Sequence, residues 1–228
     1  RVQGIWANRY VAGTGWGAAE RIDTDNEWFA SEPQIAIDAS GNAIAVWSQI
    51  DGVHKNIWAN RYIAGTGWGT AELIEMDDSD DAAKPQIAVD ARGNAIAVWS
   101  QSDGIHNNIW ANRYIAGMGW DTAELIEMDD TGHTFDPQIA VDASGNAIAV
   151  WSQDDGTTFW IGYHCTRQNI WANRYVAGKG WGTAERFETD DRGNGLIPQI
   201  AVDAKGNAIA VWPQVIGTGH RIFASRFE

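Results

Sequence analysis

Residues 85–99 read Pro85-Gln86-Ile87-Ala88-Val89-Asp90-Ala91-Arg92-Gly93-Asn94-Ala95-Ile96-Ala97-Val98-Trp99, with large aliphatics at every second position on either side of a turn. A period of two marks half-buried strands rather than a helix. The turn Ala91-Arg92-Gly93-Asn94 is built from residues that tolerate positive φ, so the two strands form a hairpin. With Asp90 facing Ala95, Val89 lies opposite Ile96 and Ile87 opposite Val98. That register puts the four aliphatics on one face and the alanines on the other. A loop at 101–108 leads to a third strand, Ile109 to Ile115. Ala116-Gly117-Met118-Gly119 then turns the chain into a fourth, Trp120 to Glu127.

The unit recurs. The word Pro-Gln-Ile-Ala begins at Pro33, Pro85, Pro137 and Pro198, at spacings of 52, 52 and 61. Ile-Trp-Ala-Asn-Arg-Tyr begins at Ile5, Ile57, Ile109 and Ile170, and returns altered as Ile222-Phe223-Ala224-Ser225-Arg226-Phe227. The third unit therefore carries nine extra residues, placed as a loop between Asp155 and Asn169. Four antiparallel strands repeated about every 50 residues identify propeller blades. The expected fold is all-β, a single β-propeller domain over 1–228 with repeat units 33–84, 85–136 and 137–197. A fourth, closing blade joins 198–228 to 1–32, removing exposed sheet edges. One third strand is then surplus, either Ile5–Val11 or Ile222–Phe227, and closure with a second chain accommodates it equally well.

The order of features (a Gly-Asn turn, an apolar strand ending in Trp, an Asp-Gly loop, Ile-Trp-Ala-Asn-Arg-Tyr, a glycine turn and Gly-Trp-Gly) resembles the blades of bacterial PLL-type propeller lectins. It is also similar to repeats in uncharacterised bacterial surface proteins. The resemblance spans nearly the whole chain and implies extracellular or cell-surface binding of sugars. Ser152-Gln153-Asp154-Asp155-Gly156-Thr157-Thr158-Phe159 is similar to the Asp-box of sialidases, although Ser48–Gly52 and Ser100–Gly104 lack its central Asp.

Composition narrows the field. With 30 acidic against 16 basic residues the net charge is −14, which argues against nucleic acid and acidic membrane surfaces. The longest apolar runs are five residues, far below the ~18 of a membrane helix. The single Cys165 excludes an intrachain disulfide framework and a Cys-rich zinc site. Arg1, with neither an initiator Met nor a signal-peptide pattern around it, is expected to begin a processed or trimmed chain.

Twelve of the 14 tryptophans hold repeated positions and are assigned to the framework. Trp28 and Trp160 break the repeat. They fall in connections that open on one rim, the fourth-to-first and second-to-third. Phe29, Phe159 and Tyr163 lie beside them, and Asp51, His54, Asp103, His106 and Asp155 occupy the second-to-third connections. These ten residues form the expected ligand rim, where aromatic faces and hydrogen-bonding side chains meet sugar hydroxyls. The acidic run Asp77, Asp78, Asp80 and Asp81 offers oxygen ligands for Ca²⁺, although no cofactor is required. The repeated Arg9, Arg61, Arg113 and Arg174 are expected to pair between blades with Asp38, Asp90, Asp142 and Asp203. No catalytic motif is found. The expected function is multivalent, non-catalytic carbohydrate binding, its partners glycans or glycosylated surfaces. A surface-layer or filament subunit, joined through the surplus edge strand, is one alternative, and a glycosidase-like enzyme is another.

Overall fold

A computed structural model describes residues 3–23, 29–76, 80–129, 131–160, 164–188, 193–216 and 219–227, with the side chains of 158–160 and 164–165 left aside. Two short hairpins come first: β1 (Trp6–Ala7) pairs with β4 (Glu20–Arg21), and β2 (Tyr10–Val11) with β3 (Gly15–Trp16). Blade 1 holds β5 (Ala30–Ile37), β6 (Ala43–Ile50), β7 (Lys55–Ile63), β8 (Gly67–Trp68) and β9 (Glu72–Leu73). Blade 2 repeats it as β10 (Ala82–Val89), β11 (Ala95–Ser102), β12 (Asn107–Ile115), β13 (Gly119–Trp120) and β14 (Glu124–Leu125). Blade 3 is β15 (Thr134–Val141), β16 (Ala147–Trp160), β17 (His164–Val176), β18 (Gly180–Trp181) and β19 (Glu185–Arg186). Blade 4 holds β20 (Asn194–Gly195), β21 (Gln199–Val202), β22 (Ala208–Ile216) and β23 (Gly219–Phe227). No helix occurs among the described residues, so none is long and apolar enough to cross a membrane.

The fourth strand of blades 1, 2 and 3 is split in two. In blade 1, β8 pairs with Tyr62 and Ile63 while β9 pairs with Trp58 and Ala59. Asn60 holds the interruption: its amide donates to the Gly69 carbonyl at 3.1 Å and to Ile22 O at 2.8 Å, across to the preceding unit. Asn112 and Asn173 do the same toward Ile74 and Ile126.

The register departs from expectation by one residue. Val89 faces Ala95, Ala88 faces Ile96 and Ile87 faces Ala97. The cause is the turn, in which Asp90 N–H donates to Asn94 O, so Asp90 faces Asn94 across a three-residue loop. Gly93 closes that loop at φ 82°, the left-handed residue of a bulged hairpin turn. Large side chains of one strand therefore oppose alanines of the next, and each sheet has two faces of similar bulk. Stacking follows. Ile44 and Val46 of blade 1 pack on Ala95, Ala97 and Trp99 of blade 2, and Ile96 and Val98 pack on Ala147, Ala149 and Trp151 of blade 3.

The turn acids are engaged within their own turns. Asp142 accepts from Ser144 N (2.7 Å), Asn146 N (2.9 Å) and the Asn146 amide (2.8 Å), a set repeated at Asp38, Asp90 and Asp203. The expected inter-blade Arg–Asp pairs are thus not the arrangement found. Arg9, Arg61 and Arg113 lie over the rings of Tyr62, Tyr114 and Tyr175 of the following blade, at 5.6, 5.2 and 5.7 Å.

Burial alone would raise the Asp142 carboxyl, but the Asn146 amide and the turn N–H groups outweigh it and hold it below the usual range. Asp38 behaves alike, and the Asn207 amide lowers Asp203. A depressed folded pKa contributes stability above the unfolded pKa of about 3.9, lost as pH falls through the folded value. Melting temperature should accordingly hold near pH 6 and drop steeply below about pH 4, and Asp142→Asn should flatten part of that drop. An acid limb identical in wild type and variant would refute the assignment.

The expected closing blade is not formed among the described residues. β23 pairs with β22 over its whole length, Trp212 facing Phe223, and occupies the third-strand place in blade 4. The hairpins at 6–21 pair with no strand of blade 4 and stack on blade 1, Ile5 and Ile22 packing against Ala30, Ala45 and Trp47. The nine-residue insertion is not a loop but an extension of the second-to-third hairpin, with Phe159 facing Cys165 and Trp160 facing His164.

Candidate functional site: a cleft between blades 2 and 3

Rim geometry bears out the shared opening of the two kinds of connection. Lys55 N donates to Asp81 Oδ1 at 2.9 Å, and Asn107 N to His133 Nδ1 at 3.2 Å. The acids expected to face ligand serve their own loops. Asp51 accepts from the Asn56 amide and Trp58 Nε1, and Asp103 from Ile105 N, His106 N and the Asn108 amide. Those N–H groups, His106 first, hold Asp103 below the usual carboxylate range. Asp155 accepts from Thr157 and Asn169. His106 stands edge-on to His133 at 5.4 Å, and Phe29 is exposed. Trp28, Tyr163, Asp77 and Asp78 lie outside the described residues, while Phe159 and Trp160 are placed by backbone alone. The Asp-box-like segment runs along β16 as an irregular strand, with a register shift between Asp154 and Thr158.

His54, Asp80 and Asp81 each bring one ligand atom within 4.8 Å of the others. The Asp81 N–H and the Ser102 hydroxyl hold Asp80 below the usual range. An imidazole with two carboxylates suits a transition ion better than Ca²⁺, which takes six to eight oxygens.

A residue set that sequence reading passed over lies on the first strands. Glu32, Lys84, Asp136 and Ile197, each before the repeated proline, sit at φ 56°, 55°, 51° and 43°. At each of the first three, the strand shifts register. Lys84 N donates to Glu32 Oε2 at 2.9 Å and its ammonium meets Asp136 at 2.6 Å, forming a ladder of alternating charge across three blades. Its signal was available in the sequence, as charge at one position in three units.

The opposite rim carries the cavities. One of about 250 Å³ opens between blades 2 and 3, with Arg92, Asn94, Arg113, Ser144 and Tyr175 in its wall and Ile96 and Val141 at its apolar side. A second, of about 290 Å³, shares Arg113 and Tyr175 and adds Asp121, Glu124 and Lys179. Arg113 divides the two, donating to the Tyr175 hydroxyl and lying 3.5 Å from Asp121. Burial first, then the Asp121 charge, pushes the Glu124 carboxyl up.

Three wall residues depart from the repeat. Arg92 stands where the other units have Ser40, Ser144 and Lys205; Asp121 replaces Gly17, Gly69 and Gly182; Lys179 replaces Thr14, Thr66 and Met118. Blade stacking needs none of them, yet all three meet at one junction. A related cavity of about 230 Å³ between blades 3 and 4 is lined by Arg174, Thr183, Glu185 and Phe227.

No protein-family model and no curated protein matches the chain. Solved structures do. A protein of unknown function from Dyadobacter fermentans aligns at TM-score 0.60 and 12% identity, over 90% of this chain and 67% of that one. An endo-arabinase from Bacteroides thetaiotaomicron aligns at 0.51 and 14%, over 94% and 82%. An α-L-arabinanase from Penicillium chrysogenum, solved with arabinobiose, aligns at 0.56 and 13%, over 90% and 65%. With the stacked four-stranded blades, this likeness shows a β-propeller fold.

Proposed function

We propose that the chain is an extracellular or surface-exposed propeller that binds carbohydrate at inter-blade clefts without altering it. The observation that carries this is the placing of three departures from the repeat around two adjoining cavities that share Arg113 and Tyr175, Arg92 in the wall of one and Asp121 and Lys179 in the wall of the other. Guanidinium, amide and hydroxyl groups beside an apolar wall suit a hydroxyl-rich ligand in an open, wet site. The endo-arabinase and arabinanase among the similar folds support the ligand class. Related clefts at neighbouring junctions provide several sites, so weak contacts can add up to useful avidity.

A glycan array read with wild type, Arg113→Ala and the opposite-rim variant His54→Ala tests the reading. Arg113→Ala is expected to weaken binding about tenfold or more, the effect of losing one or two charge-assisted hydrogen bonds, and His54→Ala to leave it unchanged. Equal losses in both would move the site, and a blank array from folded protein would remove the function. Running the array with calcium and with chelator decides whether the acidic loops contribute through a metal.

One observation favours a second reading, glycoside hydrolysis. Glu124 has a raised pKa and shares an open cleft with Asp121, the kind of carboxyl pair such chemistry uses. Turnover of a polysaccharide that is abolished by Glu124→Gln while binding persists would establish it.

A further inference from the structure

At every internal junction, the Ile-x-Val face of one second strand is covered by the next blade. Ile44 and Val46, Ile96 and Val98, and Ile148 and Val150 are all buried. The same face of blade 4 is uncovered, with Ile209 54% and Val211 37% exposed. At the other end, Ile35 and Ile37 of blade 1 are 61% and 67% exposed, whereas their counterparts Ile87 and Val89 are packed. The two open surfaces are the two halves of a contact that the molecule already makes three times.

The hairpins at 6–21 fix how the halves meet. They stand against blade 1 as third and fourth strands, Ile5 and Ile22 buried like Ile57 and Ile74, but among the described residues no second strand lies beside them. Trp6 and Tyr10 are consequently 63% and 58% exposed. The missing partner is register-matched to β22. In blade 2, Val98 faces Ala111 and Trp99 faces Trp110; the equivalent pairs are Val211 with Ala7 and Trp212 with Trp6. β23 now holds that place with Val211 facing Ala224, but it does so poorly. Ile222 is 74% exposed where Ile57, Ile109 and Ile170 are fully buried, and Ser225 replaces the asparagine that ties each internal third strand to the preceding blade. Asn8 carries that amide and would meet Phe187 O as Asn112 meets Ile74 O.

We propose that a second copy of this chain completes the blade: the hairpins at 6–21 of one copy displace β23 and pair with β22 of the other. Ile209 and Val211 then close over Ile35 and Ile37. The contact is head-to-tail, so it propagates until geometry closes a ring. Completion is assigned to a second copy because, among the described residues of one chain, β1–β4 pair only with one another and β22 is already paired along its length by β23.

Sedimentation velocity over a hundredfold concentration range should show association of the wild type. Ile209→Glu and Ile35→Glu, both at exposed positions, should each weaken it at least tenfold with circular dichroism unchanged. Mixing those two variants should restore a single contact and stop at a dimer. In a Cys165→Ser background, Ala7→Cys with Val211→Cys should give a disulfide between chains on a non-reducing gel. A monomer at all concentrations, association indifferent to both glutamates, or a 7–211 disulfide within one chain overturns the proposal. So does a Val211→Cys, Ala224→Cys pair that crosslinks fully within chains under associating conditions, because β23 must leave. Glycan binding by a chain that remains monomeric would overturn this inference and leave the proposed function standing.

Discussion

Trp99→Ala is expected to destabilise the protein by about 3–5 kcal/mol, read by urea or guanidinium unfolding, while Trp16→Ala should change it by less than about 0.5 kcal/mol. Both tryptophans recur in every unit, so sequence ranks them equally. The structure separates them. Trp99 is fully buried, packed on Ile44, Val46 and Ile57 of the preceding blade, and its indole N–H donates to Gln101 Oε1 at 2.8 Å. Alanine there leaves a cavity between two sheets and a buried amide short of its donor. Trp16 is 70% exposed and touches Tyr10 edge-on at 5.5 Å. A loss near 3 kcal/mol from Trp16→Ala would mean that the hairpins at 6–21 are covered in solution, as completion by a second copy requires. The comparison should therefore be made at a concentration where the protein is monomeric.

The repeat made the blades legible, because a strand period of two inside a 52-residue period leaves little choice of architecture. What it could not convey was the register. Asp-x-x-Gly-Asn admits both a two-residue turn and a three-residue bulged one, and only the Asp90–Asn94 backbone bond, with Gly93 at positive φ, selects the latter. One residue of slip exchanges the faces of a whole strand, turning the expected aliphatic and alanine faces into two mixed ones. The arginine pairing was misjudged for a related reason. Asp38, Asp90, Asp142 and Asp203 looked free in sequence, but the turn takes their oxygens and the arginines find aromatic rings instead.

The candidate cleft was visible in the letters without being recognised. Trp160 stands out because it lies in inserted residues, and Trp28 because an aromatic ring takes the place of Asp80, Gly132 and Gly193 of the other units. Arg92, Asp121 and Lys179 break the repeat by substitution, at positions 29 and 58 residues apart, and only the stacking of blade 3 on blade 2 brings them together. A repeat protein marks its site where identity between units fails, and that test needs the three-dimensional neighbour list to be useful. The positive-φ ladder of Glu32, Lys84 and Asp136 belongs to the same class.

Gln153→Ala should cost about 2–5 kcal/mol, from a few buried partners deprived at about 1–3 kcal/mol each, and should do more than lower stability. Gln153 is fully buried. It accepts from Trp151 Nε1 at 2.8 Å within blade 3, and it donates to Glu127 Oε1 at 3.2 Å and the Asp129 carbonyl at 2.8 Å on the far side of the junction. The Gln101–Glu75 and Gln214–Glu188 bonds repeat this link at the flanking junctions. In a stack where each blade touches only its neighbours, cooperativity depends on such interface terms. Weakening one junction should therefore split a single unfolding transition into two, blades 1 and 2 parting from blades 3 and 4. Hydrogen exchange resolved by peptide would show protection falling unequally across residue 130. Trp99→Ala weakens the contact between blades 1 and 2 instead, and should place the break one blade earlier. If both variants unfold in one transition with uniformly reduced protection, the blades are coupled through more than their neighbours. The molecule would then be closed in solution, with the hairpins at 6–21 and β22 joined within one chain.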